Sequence, residues 1–185
     1  MAKLVSKVYG DALFEAAMDR NKVDALYEEV CALVPIFHDN PELMALLGNP
    51  QIVKEEKAAI MNQVFSGRIQ EELMGFLNII VGKDRQSDLI PVFEYFIQRV
   101  KEYKRIGTVF VSSAMELRAE QRARLEEKLL ATTSYASLEM NYQVDPSLIG
   151  GIVVRIGDHV VDGSIRTRLY GLKKELSSLQ IQSQG

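Results

Sequence analysis

The sequence predicts an α+β chain, an N-terminal six-helix bundle followed by a small β-α-β-β-β-α domain. Three observations carry that prediction. Apolar residues recur at helical spacing in six successive segments up to about residue 100. Near Gly107 the apolar period changes from 3.6 to 2. Beyond that point short alternating or β-branched runs and two amphipathic runs are set apart by Asp-Pro-Ser, Gly-Asp and Asp-Gly-Ser turn signals. The boundary falls in the charged stretch 101–107, which divides the chain into residues 1–105 and 106–185.

In the first segment Leu4, Val5, Val8, Tyr9, Ala12, Leu13, Ala16 and Ala17 form two adjoining i,i+4 rows, with Lys7, Asp11 and Glu15 opposite. So broad an apolar face suits a helix packed on more than one side. The second helix carries Val23, Leu26, Tyr27, Val30, Leu33, Val34 and Phe37, with Asn21 as the expected N-cap. Pro35 lies inside that pattern and is expected to kink the helix or end it near Val34. Asn40-Pro41-Glu42 starts a short third helix with proline at its first position, and Gly48-Asn49-Pro50 stops it. Val53, Lys57, Ile60, Met61, Val64 and Phe65 make the fourth, which ends at Ser66-Gly67. Ile69, Leu73, Phe76, Leu77, Ile80 and Val81 make the fifth. Gly82 is expected to stop it and Lys83 to serve its last carbonyls. The sixth starts near Ser87 and carries Leu89, Phe93, Phe96, Ile97 and Val100. Short links between six helices imply antiparallel neighbours.

The second domain opens with a strand at 108–112. A charged helix follows over 119–132, with Leu125 and Leu129 inward, and then a strand in which Leu138, Met140, Tyr142 and Val144 alternate with Glu139, Asn141 and Gln143. Strands at 152–156 and 159–161 flank Gly157-Asp158, a two-residue hairpin signal. A last helix places Ile165, Leu169, Leu172 and Leu176 on one face.

Composition narrows the function. Apolar residues make up 47%, enough for a packed core. Up to Arg105 there are 13 Lys and Arg against 16 Asp and Glu, and beyond it 9 against 9, so neither half carries the positive field that nucleic acid requires. One cysteine, Cys31, forms no internal disulfide and builds no zinc site alone. No apolar run approaches the roughly 20 residues of a membrane span. The start MAKLVSKVYG reads as neither a secretory signal nor a transit peptide, which sets the expectation of a cytoplasmic, bacterial chain.

The stretch 150–169, GGIVVRIGDHVVDGSIRTRL, looks most like a catalytic loop. A P-loop needs Lys-Ser/Thr after its glycines, and none follows Gly150-Gly151. A dinucleotide loop runs strand, glycines, helix, whereas here the glycine pair precedes a strand. Asp158 reads as a turn residue and Asp162 as part of a helix start, so His159 with these two is not a metal set. Cys31 and His38, seven residues apart, could pair as nucleophile and base only on an unbroken helix. Arg166, Arg168, Lys173 and Lys174 give the last helix a positive run. No catalytic, metal or cofactor residue is expected. What remains is the broad face of the first helix with its small residues Gly10, Ala12, Ala16 and Ala17, which suits a groove accepting an amphipathic partner helix.

The start SKVYGDALFEAA, the six-helix pattern and above all DPSLIGGIVVRIGDHVVDGSIRTRLYGLKKEL resemble the delta subunit family of bacterial F-type ATP synthases, counterpart of the mitochondrial oligomycin-sensitivity-conferring protein. The resemblance spans essentially the whole chain. It implies a non-catalytic connector that joins the catalytic head to the peripheral stalk, at the cytoplasmic face of the membrane. It implies that the N-terminal helix of an alpha subunit lies in a groove between the first and fifth helices, lined by Tyr9, Leu13, Ala16, Phe76, Leu77 and Ile80. It also implies that the second domain takes the end of the stalk's b subunit around Val153, Arg166, Leu169 and Leu172. Isolated, the chain is expected to be a monomer that works within a hetero-oligomer. The rival expectation is a helix-binding adaptor of another complex.

Overall fold

A computed structural model describes residues 2–170 and 172. The chain is α+β and divides into two compact units, Met1–Tyr103 and Lys104–Gly185. The first holds α1 (Ala2–Asp19), α2 (Val23–Asp39), α3 (Pro41–Gly48), α4 (Lys54–Phe65) and α5 (Glu71–Gly82). A 3-10 turn at Gln86–Asp88 leads into α6 (Leu89–Lys104).

These helices share one apolar core. Leu13 and Ala17 of α1, Leu26, Val30, Leu33 and Phe37 of α2, Met61 and Phe65 of α4, Leu73, Leu77 and Ile80 of α5, and Val92, Phe93, Phe96 and Val100 of α6 are all buried in it. The ring of Phe37 stands 5.7 Å from that of Phe65 and 6.1 Å from that of Phe93. Each such side chain contributes about 1.5–3 kcal/mol relative to exposure. On its other flank α1 meets α6 through Gly10. The Tyr95 ring covers that glycine, and the Tyr95 hydroxyl donates to Asp11 Oδ1 at 3.0 Å. Polar links close the ends. The Glu29 carboxylate of α2 accepts the Gln70 N–H at 2.9 and 3.1 Å, satisfying a donor at the start of α5. Lys22 Nζ reaches Gln70 Oε1 at 3.0 Å and Glu72 Oε1 at 2.9 Å.

Three sequence expectations fail in this unit. Asn21 is not an N-cap, and Lys22 holds that position. Asn21 has φ 53°; its N–H bonds Met18 O at 3.0 Å and the Lys22 N–H bonds Ala17 O at 2.9 Å. That is a Schellman ending of α1, a role asparagine fills because it tolerates the left-handed region. Likewise Gly82 is not the left-handed stop of α5. Asp84 is, with φ 55°, and Arg85 N–H bonds Ile80 O at 3.0 Å. The carbonyl of Gly82 is served by Lys54 Nζ at 3.0 Å rather than by Lys83. Finally, α2 runs through Pro35 to Asp39. The proline ring is on the exposed side, while Leu33 and Phe37 anchor both flanks in the core, and this packing outweighs the lost backbone bond. The chain bends instead at Asn40, where α2 and α3 meet at 85°.

The second unit is a four-stranded sheet of order β2-β1-β3-β4, with β1 (Ile106–Ser113), β2 (Ser137–Val144), β3 (Ile152–Ile156) and β4 (His159–Asp162). β1 and β2 are parallel and joined through α7 (Ala119–Thr132), whereas β3 runs antiparallel to both β1 and β4. Val109, Val111 and Val154 form the core, with Leu125 and Leu129 of α7 packed on it as expected. The hairpin turns at Gly157, φ 54°, the first central position. A further helix, α8, begins at residue 165 and is described to residue 170 and at 172.

Candidate partner-binding surfaces

Of the six residues expected to line a groove between α1 and α5, three are core. Leu13 is 1% exposed, and Leu77 and Ile80 are 0% exposed. Phe76 is buried at the edge of the core, and half-buried Tyr9 meets its ring edge-on at 6.5 Å. Arg85 stacks on Tyr9, its guanidinium 5.9 Å from the ring. Ala16 is exposed. At about 100° per residue, Val8 and Ala12 lie beside Tyr9 and Ala16 on α1, and Ile79 lies beside Phe76 on α5. Val8 is 58% and Ile79 56% exposed. Sequence periodicity passed over these two because an apolar face wider than one stripe does not reveal which row turns inward. Leu4, one turn before Val8, is exposed as well.

In the second unit the glycine-rich stretch builds the start of α8. Gly151 has φ +79°, and a side chain there would run into the Gly163 carbonyl. A Cβ at Gly150 would lie 2.6 Å from Ile165 Cδ1. The Ile165 N–H bonds Gly150 O, and the Gly163 N–H bonds Ile152 O, both at 2.9 Å. Asp162 Oδ1 accepts the Ser164 N–H at 2.8 Å, and its Oδ2 accepts from Thr167 Oγ1 at 2.7 Å. The Ser164 backbone, then Thr167, hold the Asp162 carboxyl below its ordinary 3.8. Ser164 itself caps the helix, its Oγ accepting the Thr167 N–H at 3.2 Å. These bonds give Asp162 and the glycines structural duties. Asp158 and His159 are exposed at the hairpin turn, and among the described residues no three His, Cys, Asp or Glu side chains converge on a metal position. Cys31 and His38 do share an unbroken helix, but seven residues separate them by about 10 Å along its axis, beyond proton-transfer reach.

Of the four residues expected at a second surface, Leu169 and Leu172 are exposed and Val153 is half-buried. Arg166, also exposed, donates to Ser147 Oγ at 3.1 Å. Val160 and Val161 of β4 and Tyr170 of α8 are exposed apolar neighbours in sequence that periodicity did not single out. Leu176 lies outside the described residues. No single described helix is long and apolar enough to cross a membrane.

Residues 5–176 match the family model described as ATP synthase delta (OSCP) subunit. The chain belongs to that family. A relative from Lachnoclostridium phytofermentans, ATP synthase subunit delta, is 44% identical over 98% of this chain and 100% of its own length. Another ATP synthase subunit delta, from Brevibacillus brevis, is 33% identical over 91% of this chain and 96% of its own. A chain in the Toxoplasma gondii mitochondrial ATP synthase hexamer superposes with a TM-score of 0.68 at 17% identity, over 92% of this chain and 96% of that one, and shares the fold. Family membership makes this chain a structural subunit of an F-type ATP synthase, the stator connector, and not a catalyst. The absence of nucleotide-binding motifs agrees with that role.

Proposed function

We propose that the chain holds the catalytic head with one unit and the peripheral stalk with the other, at the cytoplasmic face of the membrane, so that the head stays fixed while rotation drives ATP synthesis. The six helices of residues 1–105 act as a bundle. The amphipathic N-terminal helix of an alpha subunit lies over α1 and α5. Its apolar side meets Val8, Tyr9 and Ala16 of α1 and Phe76 and Ile79 of α5, while Leu13, Leu77 and Ile80 form the floor beneath. The observation that carries this reading is the exposure of Val8 and Ile79 on either side of the half-buried Tyr9–Phe76 pair. A helix laid there removes apolar surface from water at about 25 cal/mol per Å². Val153, Arg166, Leu169 and Leu172 take the C-terminal helix of the b subunit, a reading supported by the exposure of both leucines. Joining the two sites on one chain holds each partner at high effective concentration near the other.

Calorimetric titration of the chain with an alpha-subunit N-terminal peptide tests the head site. One-to-one binding is expected. Val8→Asp, Ala16→Glu and Ile79→Asp each place a charge in an apolar contact and weaken binding about tenfold or more. All three positions are exposed, so the variants fold. Unchanged affinity in all three would sink the assignment. Leu169→Asp does the same service for the b-subunit peptide.

A further inference from the structure

A cavity of about 500 Å³ opens between the loop joining α3 to α4 and the turn after α5, lined by none of the residues assigned above to a partner. Three features of its lining call for a ligand. Lys57 is only 3% exposed, yet its Nζ stands 3.8 Å from Asp84 Oδ1, too far for a hydrogen bond. Asp84 Oδ2 is already taken by Lys54 Nζ at 2.7 Å. Gln86 is 9% exposed, and its Oε1 has no hydrogen-bond partner. And α4 begins with Val53 in the capping position, an apolar side chain that gives the first-turn N–H groups no acceptor.

The lining therefore has a surplus of donors and one buried acceptor that needs a donor. An ammonium and the N-terminal end of a helix attract an oxyanion. The unmet need of Gln86 Oε1 selects among oxyanions, because it requires an O–H on the ligand. We propose that this cavity binds inorganic phosphate. Its unprotonated oxygens accept from Lys57 Nζ and from the N–H groups of Lys54 and Glu55, and its O–H donates to Gln86 Oε1. Sulfate has the same shape but carries no proton at neutral pH, so it leaves Gln86 unmet. The carboxylates of Asp84 and Glu55 share the lining and oppose an anion, which places the affinity in the millimolar rather than the micromolar range.

The test is a titration of the isotope-labelled full chain with sodium phosphate, then with sodium sulfate at matched ionic strength, followed by amide chemical shifts. Phosphate is expected to produce saturable shifts at Lys54, Glu55 and Gln86 with a Kd on the order of 1 mM, and sulfate to bind about tenfold more weakly. Lys57→Met keeps the aliphatic stem, removes the charge and abolishes the phosphate shifts. Gln86→Leu lowers phosphate binding to the level of sulfate. Shifts that never saturate, or equal binding of the two anions by the unsubstituted chain, would leave an adventitious ion only and overturn the proposal. That last comparison needs no variant to fold.

Discussion

Replacing Gly10 by alanine sets helix propensity against packing, and the structure decides the sign. At an open site within a helix the change stabilises by about 0.5–1 kcal/mol. Gly10 is buried, however, and the new methyl would be driven into Cδ1 of the Tyr95 ring, with two further ring atoms at 3.2 and 3.3 Å. The ring must swing away from α1, and its hydroxyl then leaves Asp11 Oδ1. Overpacking of this kind costs about 1–3 kcal/mol before the lost hydrogen bond is counted. The expected outcome is a net loss of about 1–3 kcal/mol, or a fall in Tm of roughly 5–20 °C for a unit of this size. Thermal and urea unfolding of the full chain, followed by far-ultraviolet circular dichroism, measures it. Adding Tyr95→Ala to the same chain removes the obstacle, so in the double variant alanine at position 10 should cost nothing further. A Gly10→Ala chain that melts at or above the parent temperature would refute the packing argument, because propensity alone would then govern the site.

Further outcomes follow from the same geometry. Pro35→Ala restores a backbone bond on the exposed side of α2 and should stabilise the helical unit by about 1–3 kcal/mol, read from the urea midpoint. Gly151→Ala forces a side chain into the left-handed region and onto the Gly163 carbonyl. It should cost about 2–4 kcal/mol by amide exchange in β1 and β3, whereas Gly150→Ala displaces only the flexible end of Ile165 and should cost less than about 1 kcal/mol. The Glu72 carboxyl is held below its ordinary 4.5, first by the Lys22 hydrogen bond and then by its own backbone N–H. Its folded pKa is depressed, so its contribution is complete above 4.5 and is lost as pH falls through the lower folded value. Glu72→Gln should flatten that acid limb in a pH series of urea midpoints, and an unchanged limb would exclude Glu72 as its source.

Element positions were largely legible because core faces dominate the local pattern. α7 matches its expected span, and β3 begins and ends where the β-branched run does. Helix ends were less legible, for a physical reason. Asn21 and Asp84 are residue types that serve either as N-caps or in left-handed endings, and only the carbonyls they meet distinguish the two. Pro35 misled because sequence shows the lost N–H but not the packing of Leu33 and Phe37 beside it. At the surface of α1 and α5 the difficulty is one of degree. Leu13, Leu77 and Ile80 carry the apolar pattern most strongly because they are core, and the same strength hides the exposed row of Val8 and Ile79. The cavity at Lys57 left no trace in sequence, since it joins a loop before α4 to a turn after α5.

The strand order β2-β1-β3-β4 also has a consequence in time. β1 lies inside the sheet, yet both of its partners come later in the chain. At a synthesis rate of about 5–20 residues per second, the 31 residues between Ser113 and Val144 take about 2–6 s to add. Throughout that interval the run Val109-Phe110-Val111 has emerged with neither neighbour to cover it, while every residue of the helical unit has already been made. The second unit is therefore the part of the nascent chain most in need of a chaperone, and slowing translation between β1 and β2 lengthens its exposure in proportion.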